Sequence, residues 1–132
     1  MFLKKYLAVA VGGVIGTLLR YLAYSLLDAN EATFPWATVT VNLIGSFLLA
    51  FVAASINSGK LQSKTLQAGV SGGLLASFTT FSNLGLDIVV LLNQAAFGTI
   101  VLYLLVSLAG GGLFALAGWH LVKSPETNAE SP

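Results

Sequence analysis

Apolar residues run along this chain in four long stretches separated by short polar clusters. The stretches cover 6–27, 34–56, 66–92 and 97–122, and the separators are 28–33, 57–65 and 93–96. Each stretch matches or exceeds the roughly 20 apolar residues that a spanning helix requires. Strands of a membrane barrel would instead alternate in polarity over about ten residues. Connections this short force consecutive spans to run antiparallel, as in a bundle joined by hairpins. The pattern predicts an all-α membrane protein with one four-helix domain over 1–123. The segment 124–132, with Pro125, Glu126, Glu130 and Pro132, predicts a disordered tail.

Composition sharpens this picture. Of 132 residues, 56% are hydrophobic and only 8% charged, with mean hydropathy +0.86. A soluble domain carries about 25% charged residues, so this chain cannot solvate a globular surface. There is no cysteine and one histidine, His120, which excludes a disulfide scaffold and leaves almost nothing for a transition-metal centre. The net charge is +1, and the basic residues form no stripe that could follow a phosphate backbone, so no nucleic acid is expected. Lys4 and Lys5 precede the first apolar stretch as in a signal peptide, but that stretch runs unbroken to Leu19, longer than a typical h-region. It reads as a permanent span. Lys4, Lys5, Lys60, Lys64 and Lys123 all fall on one side of the bundle and none on the other, which predicts both termini in the cytoplasm of a plasma-membrane protein.

Polar residues inside the spans are the candidate chemistry. Arg20 lies about 10 Å below the outer end of span one. It either snorkels or serves a functional or ion-pairing role, and its place near the end poor in basic residues favours the second. Asp87 lies about 7.5 Å deep in span three, so depth alone allows an Arg20–Asp87 pair. Asn42 lies about 12 Å down span two, where an amide serves equally as interhelical glue or as pore lining. Span three crowds Ser71, Gly72, Gly73, Ser77, Thr79, Thr80, Ser82 and Asn83 into its middle. One reading is a tight interface on Gly69 and Gly73, and the other a helix break whose freed carbonyls line a site. The density of Thr-Thr-Phe-Ser-Asn favours the break. Span four sets Tyr103, Ser107, Gly111 and Ala115 on one face at helical spacing.

Taken together, Arg20, Asn42, Tyr103 and Ser107 occupy similar depths and are all hydrogen-bond donors. Only one carboxylate is embedded. A donor-rich, carboxylate-poor interior suits an anion, and Phe78 and Phe81 could add ring edges, which are electropositive.

Three segments carry a family resemblance: Gly12-Gly13-Val14-Ile15-Gly16-Thr17-Leu18-Leu19-Arg20-Tyr21, Thr40-Val41-Asn42-Leu43-Ile44-Gly45-Ser46-Phe47 and Phe78-Thr79-Thr80-Phe81-Ser82. In this order, at this length, the chain resembles the Fluc (CrcB-type) fluoride channels over nearly its whole ordered length. The resemblance implies an antiparallel dimer of four-span subunits with a broken third helix. It implies two pores that let cytoplasmic fluoride leave passively, conferring fluoride resistance. It also implies a structural sodium ion at the dimer centre, held by the main-chain carbonyls of Ala76 and Thr79. By the same resemblance Asn42 is the pore amide, and Phe81 is the first phenylalanine presenting its edge to fluoride. Tyr103 and Ser107 begin a polar track, and Arg20 draws anions into the vestibule.

The chain departs from the family pattern at several points. Asn83-Leu84 replaces a stretch ending in a second pore phenylalanine, Ala76-Ser77 replaces paired glycines, and Gly111 and Ala115 lack the hydroxyls of a longer track. The one-sided lysines disfavour insertion in both orientations, so the partner is either a second copy or a paralogous subunit of opposite orientation. Three non-enzymatic functions follow: a fluoride channel, a supporting subunit of a heteromeric channel, and, as a distant third, a small drug/proton antiporter. The antiporter needs a deep carboxylate, which spans one, two and four lack. No nucleophile–base pair points to an enzyme.

Overall fold

The computed structural model describes residues 2–27 and 33–122. Helix α1 (Phe2–Leu27) is followed by α2 (Trp36–Asn57). The third span, Lys64–Asn93, is interrupted. Its first part, α3 (residues 64–78), joins an α-helical turn Lys64–Gln67, a π-helical stretch Ala68–Leu75 and a last turn Ala76–Phe78. After a break at residues 79–81 the chain resumes as α4 (Ser82–Asn93), and α5 (Phe97–Leu121) completes the bundle. Four apolar helical segments are long enough to cross a membrane, as the hydrophobic pattern predicts. The expected disordered tail and most of the first connection lie outside the described residues.

Two close helix pairs make the bundle: α1 against α3, and α2 against α5. In a bilayer the lipid tails are as apolar as leucine, so helices associate by close packing rather than by the hydrophobic effect. Glycine supplies that closeness on α1. A Cβ at Gly12 would collide with the Gly69 carbonyl, and one at Gly16 with the Leu74 carbonyl and Ser77 Oγ. Ser77 Oγ then stitches the two helices, sitting 3.0 Å from the Gly13 carbonyl and 2.8 Å from that of Gly73, its single proton shared between them. The second pair closes where Gly118 meets the Phe47 carbonyl. A small apolar core of Val39, Leu91, Ile100 and Tyr103 ties α2, α4 and α5 together, with Leu84 packed against it.

The two readings of span three therefore hold at different places. Gly69 and Gly73 form the tight interface, and the break comes further on, at Thr79, whose φ of −72° and ψ of 158° are extended. The π-helical stretch explains part of the transition. Its i→i+5 bonding widens the helix and rotates the following turn, and a stretch containing Gly69, Gly72 and Gly73 accommodates it.

Two tight connections complete the fold. Gly59 adopts φ +71°, a conformation that suits glycine, just past the end of α2. Ala95, at φ +53°, makes the same kind of turn between α4 and α5 with a side chain that resists it.

Candidate ion pathway at the helix break

A helix that stops within a membrane must find partners for the backbone groups it frees. Asn42, on α2, does this with both ends of its amide. Its Nδ2 donates to the Thr80 carbonyl at 2.9 Å, and its Oδ1 accepts the Thr80 N–H at 2.9 Å. Thr80 Oγ1 in turn accepts the Asn83 N–H at 3.2 Å, at the start of α4. A continuous helix would have sent the Thr80 N–H to the Ala76 carbonyl and the Asn83 N–H to the Thr79 carbonyl. Side-chain oxygens take both donors instead. Among the described residues the Ala76 and Thr79 carbonyls accept no backbone N–H.

The break thus sets two kinds of charge side by side. The end of α3 presents free carbonyls, the negative end of a helix dipole. The start of α4 presents N–H groups, the positive end. An open cleft of about 330 Å³ lies against this junction, lined by Asn42, Ser46, Leu49, Thr79, Thr80 and Phe81. Phe81 stands at it with 85% of its surface exposed. Among the described residues no carboxylate lines the cleft. One Nδ2 proton of Asn42 remains after its bond to Thr80.

Arg20 reaches the same junction from α1, its Nη1 3.4 Å from the Thr79 carbonyl. It does not pair with Asp87: among the described residues no ion pair joins them, although their depths allow one. Asp87 is held instead by hydroxyls. Thr38 Oγ1 donates to Asp87 Oδ2 at 2.6 Å, and Tyr103 OH donates to the same oxygen at 2.9 Å. Because the Thr38 proton is used there, Tyr24 OH must be the donor in its 2.6 Å bond to Thr38 Oγ1. This relay links α1, α2, α4 and α5.

The predicted residues accordingly fall into two groups. Asn42, Phe81 and the Thr79 carbonyl meet at the cleft, with Arg20 on the Thr79 oxygen and the Ala76 carbonyl one turn away. Tyr103 is fully buried and bonds the half-buried Asp87, its ring edge-on to Phe34 at 5.8 Å. Ser107, one turn further along α5, has a buried Oγ with no partner among the described residues. Phe78 packs beside Gly45 and does not line the cleft. Leu84 faces the core rather than the cleft. Thr38 and Tyr24 were not singled out from sequence. Their depths, about 6 Å and 4.5 Å from the outer ends of their spans, lie close to that of Asp87, which is the signal for them in the sequence.

The family described as "CrcB-like protein, Camphor Resistance (CrcB)" matches residues 7–119, which contain both polar groups. This chain belongs to that family. A CrcB relative from Thermus thermophilus, named fluoride-specific ion channel FluC, is 38% identical over 122 residues, 92% of this chain and 95% of its own length. One of the same name from Rhodospirillum centenum is 40% identical over 125 residues, covering 92% and 98%. FluC 1 of Bacillus anthracis is 34% identical over 88% of this chain and 85% of its own. The three CrcB relatives thus align with the full four-span bundle rather than with a fragment of it.

Proposed function

We propose that this CrcB protein is a passive, fluoride-selective channel that exports cytoplasmic fluoride and so confers resistance to it. The observation that carries the reading is the cleft at the break, where the Asn42 amide, the interrupted backbone at Thr79 and Thr80 and an exposed phenylalanine meet with no carboxylate among the described residues. Fluoride is small and strongly hydrated. A pathway that selects it must replace its waters with closely placed donors and ring edges. Asn42 supplies a remaining N–H, Phe81 a ring edge, and Arg20 a fixed positive charge. On α5, Ser107 offers a further donor through its unpartnered Oγ, Tyr103 lies one turn away with its proton committed to Asp87, and Phe78 packs behind the break. The relatives' names agree with this chemistry.

The cleft is open on one side and Phe81 projects from it, which supports completion of the pathway by a second subunit. An antiparallel dimer would contain two such pathways. Among the described residues no three His, Cys, Asp or Glu side chains gather, so a resident cation would be held by backbone oxygens. The Ala76 and Thr79 carbonyls fit this. Each lacks a backbone donor among the described residues, and the Arg20 guanidinium, a like charge on the Thr79 oxygen, would have to turn away to admit the ion. Hard cations such as sodium take oxygen ligands. When bound, a sodium ion would supply fixed charge that holds the two broken helices together.

The supporting-subunit reading keeps one specific observation in its favour. Along the sequence, the lysines at 4, 5, 60, 64 and 123 all fall in the segments flanking one side of the four-span pattern, and the segments 28–33 and 93–96 on the other side have none. That bias favours one orientation, with both termini cytoplasmic, and on this reading a partner of opposite bias completes the dimer. Growth on fluoride tests both readings: a strain lacking its own exporter should be rescued by this chain alone. Rescue only on co-expression with a paralogue would establish the heteromer, and no rescue in either case would reject the channel.

A further inference from the structure

A second cavity, of about 390 Å³, lies between α1 and α3 and takes no part in the pathway. Its walls are Val11 and Ile15 on one side and Leu66, Val70 and Leu74 on the other. Gly12 and Gly69 also line it, where the two backbones come too close for any side chain. Val11, Ile15 and Leu66 are 58%, 43% and 51% exposed, so the subunit itself does not cover the groove. From Ala8 to Ile15 it runs about 10 Å along the helix axis.

One end of this groove differs chemically from the rest. Ser63 and Thr65 line it there, and Lys64 sits between them at the start of α3. Lys4 and Lys5 lie one turn below Ala8 on α1, at the i+4 and i+3 spacings that place them beside it. Ser63 Oγ accepts the Leu66 N–H at 3.3 Å and so keeps its own proton to give. The only acid among the described residues, Asp87, lies towards the opposite end of the third span.

We propose that this groove holds an acyl chain of an anionic phospholipid, whose phosphate rests on Lys4, Lys5 and Lys64. Charge complementarity identifies the occupant. Lysine stems lie along apolar surface while their ammonium groups reach the interface, and basic pockets between spanning helices bind anionic headgroups. The Ser63 and Thr65 hydroxyls add donors at the depth of the glycerol and phosphate. The lipid would also cover the α1–α3 seam, which is held by glycine contacts and one serine. This ligand is independent of what the channel conducts.

Native mass spectrometry of the full chain tests the assignment, with phosphatidylglycerol and phosphatidylcholine of matched chains supplied together in neutral detergent. Orientation in a bilayer has no influence in that setting. The wild type should retain phosphatidylglycerol preferentially. Lys64→Gln and the double change Lys4→Gln with Lys5→Gln should each lower that preference, by about fivefold per lysine removed, and Lys64→Arg should keep it. Ile15→Trp, or Val11→Phe should that variant misfold, should reduce retention of both lipids by filling the groove. Equal retention of the two lipids by the wild type would overturn the proposal. So would an unchanged preference after all three lysines are replaced, or unchanged retention in the filled groove. Loss of a dimer in the filled variant would assign the groove to a second copy and equally overturn it.

Discussion

Asn42 and Phe81 border the same cleft but hold it in opposite ways, and substitution separates them. Asn42 makes two bonds to the Thr80 backbone, so Asn42→Ala leaves a buried N–H and carbonyl unpaired. Each stranded group costs about 1–3 kcal/mol, and the variant should show both a lowered unfolding midpoint and fluoride flux near background. Phe81 is 85% exposed within the subunit. Phe81→Ala should leave the midpoint of the isolated subunit within about 0.5 kcal/mol of wild type, while fluoride flux falls to background. If both variants lose flux only in proportion to lost folded protein, neither residue belongs to the pathway. Tyr103→Phe removes a donor from Asp87. A hydrogen bond to a charged group contributes about 1.5–3 kcal/mol, so thermal unfolding should report a loss of that size.

At the scale of helices, the apolar pattern alone located all four spans, because about 20 apolar residues in a row admit few alternatives. The inside of span three was harder to read. Small and hydroxyl residues support both a close interface and a break, and the chain uses them for both, ten residues apart in the case of Gly69 and Thr79. Sequence could not show that Ser77 bonds to α1, because that contact joins residues 64 positions apart. Nor could it show that Leu84 packs into the core. Leu84→Phe would place a larger ring against Val39, Leu91, Ile100 and Tyr103. Overpacking of this kind costs about 1–3 kcal/mol, so the variant should unfold earlier rather than simply conduct faster. The α4–α5 turn offers the reverse change. Ala95 sits at φ +53° and is exposed, so Ala95→Gly should raise the unfolding midpoint by relieving a left-handed alanine that costs roughly 1 kcal/mol.

The whole molecule is an asymmetric object in a membrane. Its lysines at 4, 5, 60 and 64 cluster at one end and its hydroxyl–carboxylate relay lies towards the other, so on the supporting-subunit reading a single orientation should dominate. The absence of native cysteine makes this simple to measure. A cysteine introduced at Ser58 should be labelled only from the cytoplasm, and one at Gln94 only from outside. Equal labelling of each from both sides would show dual insertion and remove the argument for a paralogous partner. The central claim is that the break between α3 and α4 borders a fluoride pathway. It is tested most directly by fluoride efflux from liposomes loaded with potassium fluoride and containing this chain alone, followed with a fluoride electrode after a potassium ionophore is added. The account predicts rapid fluoride efflux from the wild type, none from Phe81→Ala, and no chloride efflux from either. Chloride passing as readily as fluoride, or undiminished fluoride flux through Phe81→Ala, would contradict it.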